Sequence, residues 1–154
     1  MKFTCPLIVV EDMGISRKFY EEVLGQKVIL DFGANITFAG DFSLQTRETW
    51  AEFISKREED IKTEANNFEL YFEEEDFDTF AASLRKMDVH YLHDVREYPW
   101  GQRVIRIYDP DMHIIEIGES MASVVKRFLA LGLSVEDTAQ RTQHPVEFVL
   151  RQLQ

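Results

Sequence analysis

The chain has 154 residues, 45% of them hydrophobic and 29% charged, with a formal net charge of −11. Such a length and mix describe one globular domain able to bury a sizeable core, and exclude a disordered chain. The acidic balance works against nucleic-acid binding, the single cysteine excludes an internal disulfide, and no apolar run nears the roughly 20 residues that span a bilayer.

In chain order, Met1–Pro6 carries no signal-peptide pattern and leads into an apolar, β-branched strand at Cys5–Val10, so the cytoplasm is the expected compartment. Ile15, Phe19, Tyr20, Val23 and Leu24 recur at three and four, predicting a helix over Met13–Leu24 with Gly25 as its cap. Three strands follow at Val28–Phe32, Ile36–Ala39 and Phe42–Thr46, with Gly40-Asp41 as turn chemistry. Trp50–Glu64 reads as a charged helical link. The same order then returns. A strand at Phe68–Phe72 and an acidic solvated run at Glu73–Asp76 precede a helix from Asp76 bearing Phe77, Phe80, Ala81, Leu84 and Met87. Strands at His90–Leu92, Arg103–Tyr108 and His113–Gly118 complete the set, with a long loop at Asp94–Trp100. Asp12 and Asp76 lie 64 residues apart, as do Cys5 and Glu69, whereas Gln45 and Glu116 lie 71 apart. A repeated βαβββ unit follows from the pattern.

Residues 119–154 lie beyond the repeat and predict three short helices, at Met121–Leu131, after Ser134, and after Pro145. Gly132–Ala139 is similar to the start of a helix-turn-helix. The tail's charges cancel, however: Lys126, Arg127, Arg141 and Arg151 against Glu119, Glu136, Asp137 and Glu147. A packing or partner-binding module is expected rather than a DNA reader. Its apolar faces need a cover, either the sheet's outer surface or a second subunit.

Val10-Glu11-Asp12, Phe19-Tyr20, Leu24-Gly25, Trp100-Gly101-Gln102-Arg103 and the hairpin Asp109-Pro-Asp-Met-His-Ile-Ile-Glu116 together resemble the glyoxalase/bleomycin-resistance/extradiol-dioxygenase (vicinal-oxygen-chelate) superfamily. Met112 stands where its closing hairpin usually has glycine. The resemblance implies an α+β fold in which paired βαβββ modules form curled mixed sheets around a cavity, with C-terminal helices added. The domain would be 1–118, built from modules 1–49 and 67–118 and a helical linker 50–66, with a tail at 119–154. It also implies a metal site at Cys5, Gln45, Glu69 and Glu116, for Zn²⁺, Mn²⁺, Mg²⁺ or Ni²⁺. The family's usual histidines are missing there. Cys5 is equally readable as a small buried hydrophobe, and Gln45 as a hydrogen-bonding cavity residue.

Glu69 and Glu116 are the candidate catalytic pair, and buried together they need a metal, a cation or hydrogen-bond donors. Arg103 or Arg106 is placed to supply the cation; strand alternation allows only one of them on that face. Trp50, Tyr71, Trp100 and Arg103 are the candidate ligand-pocket residues, with module-interface core as the other reading of each tryptophan. Three functions stay open: a lyase or isomerase acting through Glu69 and Glu116, a metal-free sequestering protein of bleomycin-resistance type, and a regulatory module working through its tail. A small-molecule ligand and a homodimer are the expected partners; nucleic acid and membrane are not.

Overall fold

The computed structural model describes residues 1–153; Gln154, the last residue of the expected tail, lies outside the described residues. The elements run β1 (Leu7–Val10), α1 (Met13–Glu22), β2 (Val28–Asp31), β3 (Asn35–Phe38), β4 (Phe42–Thr46), α2 (Arg47–Phe53), a 3-10 turn (Glu58–Asp60), β5 (Glu69–Glu74), α3 (Phe77–Leu84), β6 (His90–Glu97), β7 (Arg103–Tyr108), β8 (Ile114–Glu119), α4 (Met121–Ala130), α5 (Val135–Thr142) and α6 (Val146–Arg151). Two four-stranded mixed sheets result, ordered β1-β4-β3-β2 and β5-β8-β7-β6. Each starts with a parallel pair, β1 with β4 and β5 with β8, and continues antiparallel. The α+β class and the repeated βαβββ order are as expected. Two compact units form: residues 1–68 with the turn 109–113, and residues 69–108 with 114 onward.

In the first unit, alternation along the strands sorts the side chains into two faces. Ile8, Val10, Ile36, Phe38, Phe42 and Leu44 are buried, and Tyr20 of α1 packs among Phe38 and Phe42 with ring centres 5.3–5.5 Å away. Helix α1 begins because the Asp12 carboxylate accepts the Ile15 N–H, satisfying an orphan donor of the first turn. The turn 109–113 belongs to this unit. There Tyr20 donates to Asp109 at 2.8 Å, and Asp111 accepts from Ser16 Oγ at 2.9 Å and from the Glu11 N–H at 2.8 Å. Met112, in the usual glycine's place, adopts a left-handed φ of 66°.

In the second unit, Leu70, Ile105, Ile107, Ile115 and Ile117 share the face buried with Phe77, Ala81 and Leu84 of α3. The tail folds onto the same unit. Val125, Ala139 and Val149 form its core, flanked by Leu129, Val135 and Phe148. Phe128 of α4 lies against Gly101, where a β-carbon would sit 2.1 Å from the ring and the backbone holds φ at 87°. Only glycine fits. Arg127 reaches back to Glu119 and to the Gly101 carbonyl, and Ser123 to the Glu75 carbonyl.

Four boundaries differ from the sequence reading. The linker is not a continuous helix: α2 stops at Phe53 and Ser55 turns left-handed, because Ile61 is the one large apolar residue from 55 to 67 and no apolar face holds a helix there. The expected loop at 94–100 is half strand, with β6 running to Glu97 through two register irregularities. Glu73 and Glu74 continue β5 instead of forming a loop. The repeat register also shifts. Leu7 faces Ser43 and Glu69 faces Ile114, so once the 71-residue offset matches Ser43 to Ile114, their ladder partners Leu7 and Glu69 correspond, and Cys5 does not fall on Glu69. β5 is two residues longer than β1, which restores the 64-residue spacing at the helix caps.

Candidate functional site

The second sheet's less apolar face brings Glu69, Tyr71 and Glu73 of β5 together with Glu116 and Gly118 of β8 and Arg106 of β7. Arg106 is the organising residue. Its Nε donates to Glu69 at 3.0 Å, its Nη2 to Glu116, and its Nη1 to the Tyr98 hydroxyl at 2.6 Å and to His93 Nε2 at 3.3 Å. His93 Nδ1 lies 2.8 Å from the Asp94 carbonyl, which only accepts, so the proton sits on Nδ1 and Nε2 is the acceptor. Burial works against the Arg106 charge, but Glu69 and Tyr98 outweigh it and raise the guanidinium above its ordinary range. The two candidate catalytic carboxylates are thus joined through one permanent cation.

Of the two arginines left open by sequence, Arg106 occupies this face. Arg103 does not, a correction to its place among the pocket residues. It points to the opposite face, where it pairs with Glu119 at 2.9 Å and Asp78 at 2.7 Å and lies over the Phe77 ring. Odd and even positions of β7 face opposite ways, so the two roles exclude each other.

Gln45 lies on β4 of the first unit, where its side-chain oxygen accepts from Asn35 at 2.9 Å and its amide donates to Thr49. Cys5 precedes β1, and its sulfur is 3.6 Å from the Ser43 hydroxyl, which lies 2.9 Å from Thr37 Oγ1. Taken within each unit, the surroundings of these four expected ligand positions do not suit a divalent ion. Arg106 already supplies the positive charge both carboxylates need, and Cys5 and Gln45 are committed to uncharged neighbours. Among the described residues, no group of three or more His, Cys, Asp or Glu is gathered for a metal.

The expected pocket residues divide between two recesses. Trp50 lines a cavity of about 400 Å³ in the first unit, with Pro6, Leu7, Ile61 and Phe68 as apolar walls and Lys62 and His113 as polar ones. Tyr71 and Trp100 line a recess of about 430 Å³ in the second unit. There Gln102 donates to the Tyr71 hydroxyl at 2.8 Å and accepts from the Trp100 indole at 3.1 Å. Burial, with the hydrogen bond to Glu73, pushes the Tyr71 hydroxyl up to about 12, so it stays a donor at neutral pH. Sequence reading missed Tyr98, His93 and Gln102. The odd–even alternation of β7 was the signal that only one of Arg103 and Arg106 could face the carboxylates, without deciding which; nothing in the sequence marked Tyr98 as a partner.

A polar sheet face with two carboxylates under one arginine, repeated βαβββ topology and a pocket in each unit define a class of small-molecule-binding folds rather than one activity. A family model, the glyoxalase-like domain, matches residues 3–122, and the chain belongs to that family and to the vicinal-oxygen-chelate superfamily. A protein of unknown function from Agrobacterium tumefaciens str. C58 is 34% identical, with a TM-score of 0.70 over 78% of this chain and 94% of that one. A glyoxalase-related enzyme from Fulvimarina pelagi shares the fold at 16% identity, with a TM-score of 0.65 over 78% and 89% of the two chains. So does the fosfomycin resistance protein FosX from Mesorhizobium loti, at 17% identity and a TM-score of 0.55 over 82% and 97%. No curated protein matches the chain. Among the described residues no helix is long and apolar enough to cross a membrane.

Proposed function

We propose that this chain is a metal-independent small-molecule-binding member of the glyoxalase-like family, closer to the sequestering type than to a metal-dependent lyase or isomerase. One observation carries the reading: Arg106 bridges Glu69 and Glu116, the two carboxylates that a metal would need. A guanidinium cannot leave as a hydrated ion leaves, and displacing it would leave a largely buried cation without its two anions. Aromatic walls in both recesses suit an organic ligand. Neighbours in the fold are named for resistance to fosfomycin and bleomycin, which agrees with a role in holding a small compound.

Calorimetric titration with Mn²⁺, Zn²⁺ and Ni²⁺ tests this on the wild type and on Glu116→Gln and Arg106→Met. The wild type is expected to bind none of them. Arg106→Met should lose stability in chelated buffer and recover part of it with Mn²⁺, because two carboxylates are left without their cation. Tight binding by the wild type that vanishes in Glu116→Gln would overturn the proposal and restore the metal-dependent lyase or isomerase.

A further inference from the structure

None of Arg106, Glu69 or Glu116 lines the second-unit recess. Strand β5 contributes Tyr71, and the β6–β7 turn contributes Trp100 and Gln102. The tail contributes Met121 at the start of α4, then Thr142, Gln143 and His144 from the turn between α5 and α6. The family match ends at residue 122, so the last three lie beyond the glyoxalase-like domain itself. At about 430 Å³ the recess falls within the range of small-molecule sites.

Its aromatic walls are fixed before any ligand arrives. Both Gln102 amide hydrogens are in use, one on the Tyr71 hydroxyl and one on the Glu119 carbonyl, and its oxygen takes the Trp100 N–H. Trp100 stacks on Tyr98 with ring centres 4.9 Å apart and planes 17° from parallel. Gly118 makes room for this arrangement: a β-carbon there would lie 2.7 Å from Gln102 Nε2 and 2.9 Å from the Tyr71 ring. The hydrogen-bonding capacity left over sits on the tail. His144 Nδ1 donates to the Thr142 carbonyl at 2.8 Å, which leaves Nε2 as the acceptor of the neutral ring. Gln143 is exposed and holds a left-handed φ of 58° as the cap of α5. None of the seven lining residues carries a full charge when His144 is neutral, so an ionised ligand would lose its hydration without a counter-charge.

We infer that the recess beneath the α5–α6 turn is a binding site for an uncharged planar aromatic compound with an N–H or O–H at its edge, completed by residues 142–144 of the C-terminal helices. The inference rests on the small-molecule role proposed above and adds the site, the ligand class and a purpose for the tail. Tyr71 and Trp100 supply the stacking surfaces, and His144 Nε2 and the Gln143 amide receive the ligand's edge.

Proton–nitrogen NMR on the full chain tests it, with indole, 2-naphthol and nicotinamide as neutral probes and benzoate and benzylamine as charged ones. The indole N–H signals of Trp50 and Trp100, told apart with Trp50→Phe, report the two recesses separately. Neutral probes should move the Trp100 signal and charged ones should not. His144→Ala should weaken binding about tenfold, the order of one lost hydrogen bond. Gln143→Gly removes a side chain from the recess while its left-handed backbone suits glycine, so binding should weaken with the thermal midpoint unchanged or higher. A silent Trp100 signal, benzoate bound as well as the neutral probes, or variants that bind as the wild type does would each overturn the site. Movement of Trp50 alone would also overturn it while leaving the metal-free binding role intact, since that role is read from the metal titration.

Discussion

Glu119 is the acid that the second unit holds furthest from water, and its surroundings decide how the protein responds to acid. Burial alone would raise its pKa, but the guanidinium groups of Arg103 and Arg127 win and hold it below the usual carboxylate range. A folded pKa below the unfolded one means the stabilisation is complete above the ordinary carboxylate range. It is lost as pH falls through the folded value. Glu119→Gln should therefore cost about 3 kcal/mol near neutrality, where two arginines lose their shared anion. The difference between variant and wild type, measured near neutrality and again in acid, should shrink as pH falls through the folded value and the wild-type acid takes up its proton. Urea denaturation at the two pH values checks this; a gap that stays constant would show that Glu119 acts by shape and hydrogen bonding alone. Asp111 works in the opposite sense. Burial raises its pKa, against the hydrogen bonds from the Glu11 N–H and Ser16, so acid does not threaten the first unit through this group.

At the level of elements, the tail is held by side chains that a sequence pattern marks only as apolar or charged. Phe128 fills the space above Gly101, and Arg127 joins Glu119 to the β6–β7 turn. Removing residues 121–154 should uncover the Gly101 surface, leave Glu119 with one arginine instead of two, and lower the thermal midpoint and solubility. A truncated protein as stable and soluble as the full chain would contradict this. Salt-sensitive duplex binding by the tail would contradict its neutral charge balance. The strands and helices themselves were legible, because each carries its period in its own residues: Tyr20 and Phe19 on one helical face, Leu70 and Phe72 on one strand face. What escaped was set by partners distant in sequence. Whether Asp94–Glu97 pairs or loops depends on β7. Whether Cys5 or Leu7 matches Glu69 depends on a ladder register that a two-residue difference in strand length conceals. Glu69 and Glu116 were found from the motif, but the motif implied a metal between them. Strand alternation narrowed the cation that answers them to Arg103 or Arg106, and only the β7–β8 register, with Arg106 opposite Glu116, decides between the two.

For the whole molecule, a formal charge of −11, most of it carried by the first half of the sequence, favours solubility and discourages polyanionic partners. The turn 109–113 has a different consequence. The chain enters the second unit after residue 68, returns for five residues, and leaves again, so the first unit's Tyr20 and Ser16 find Asp109 and Asp111 only by borrowing from the later half of the sequence. The boundary between the units is therefore not a place where the chain can be divided. A single protease nick in the exposed segment 55–60 should yield two fragments that migrate together on a sizing column and melt in one transition, as an intact protein with a broken backbone. A synthetic peptide of residues 1–68 should remain unfolded until the complementary fragment is added. Two fragments that part on nicking and each keep a folded spectrum would show that the returning turn is ornament and that the units stand alone.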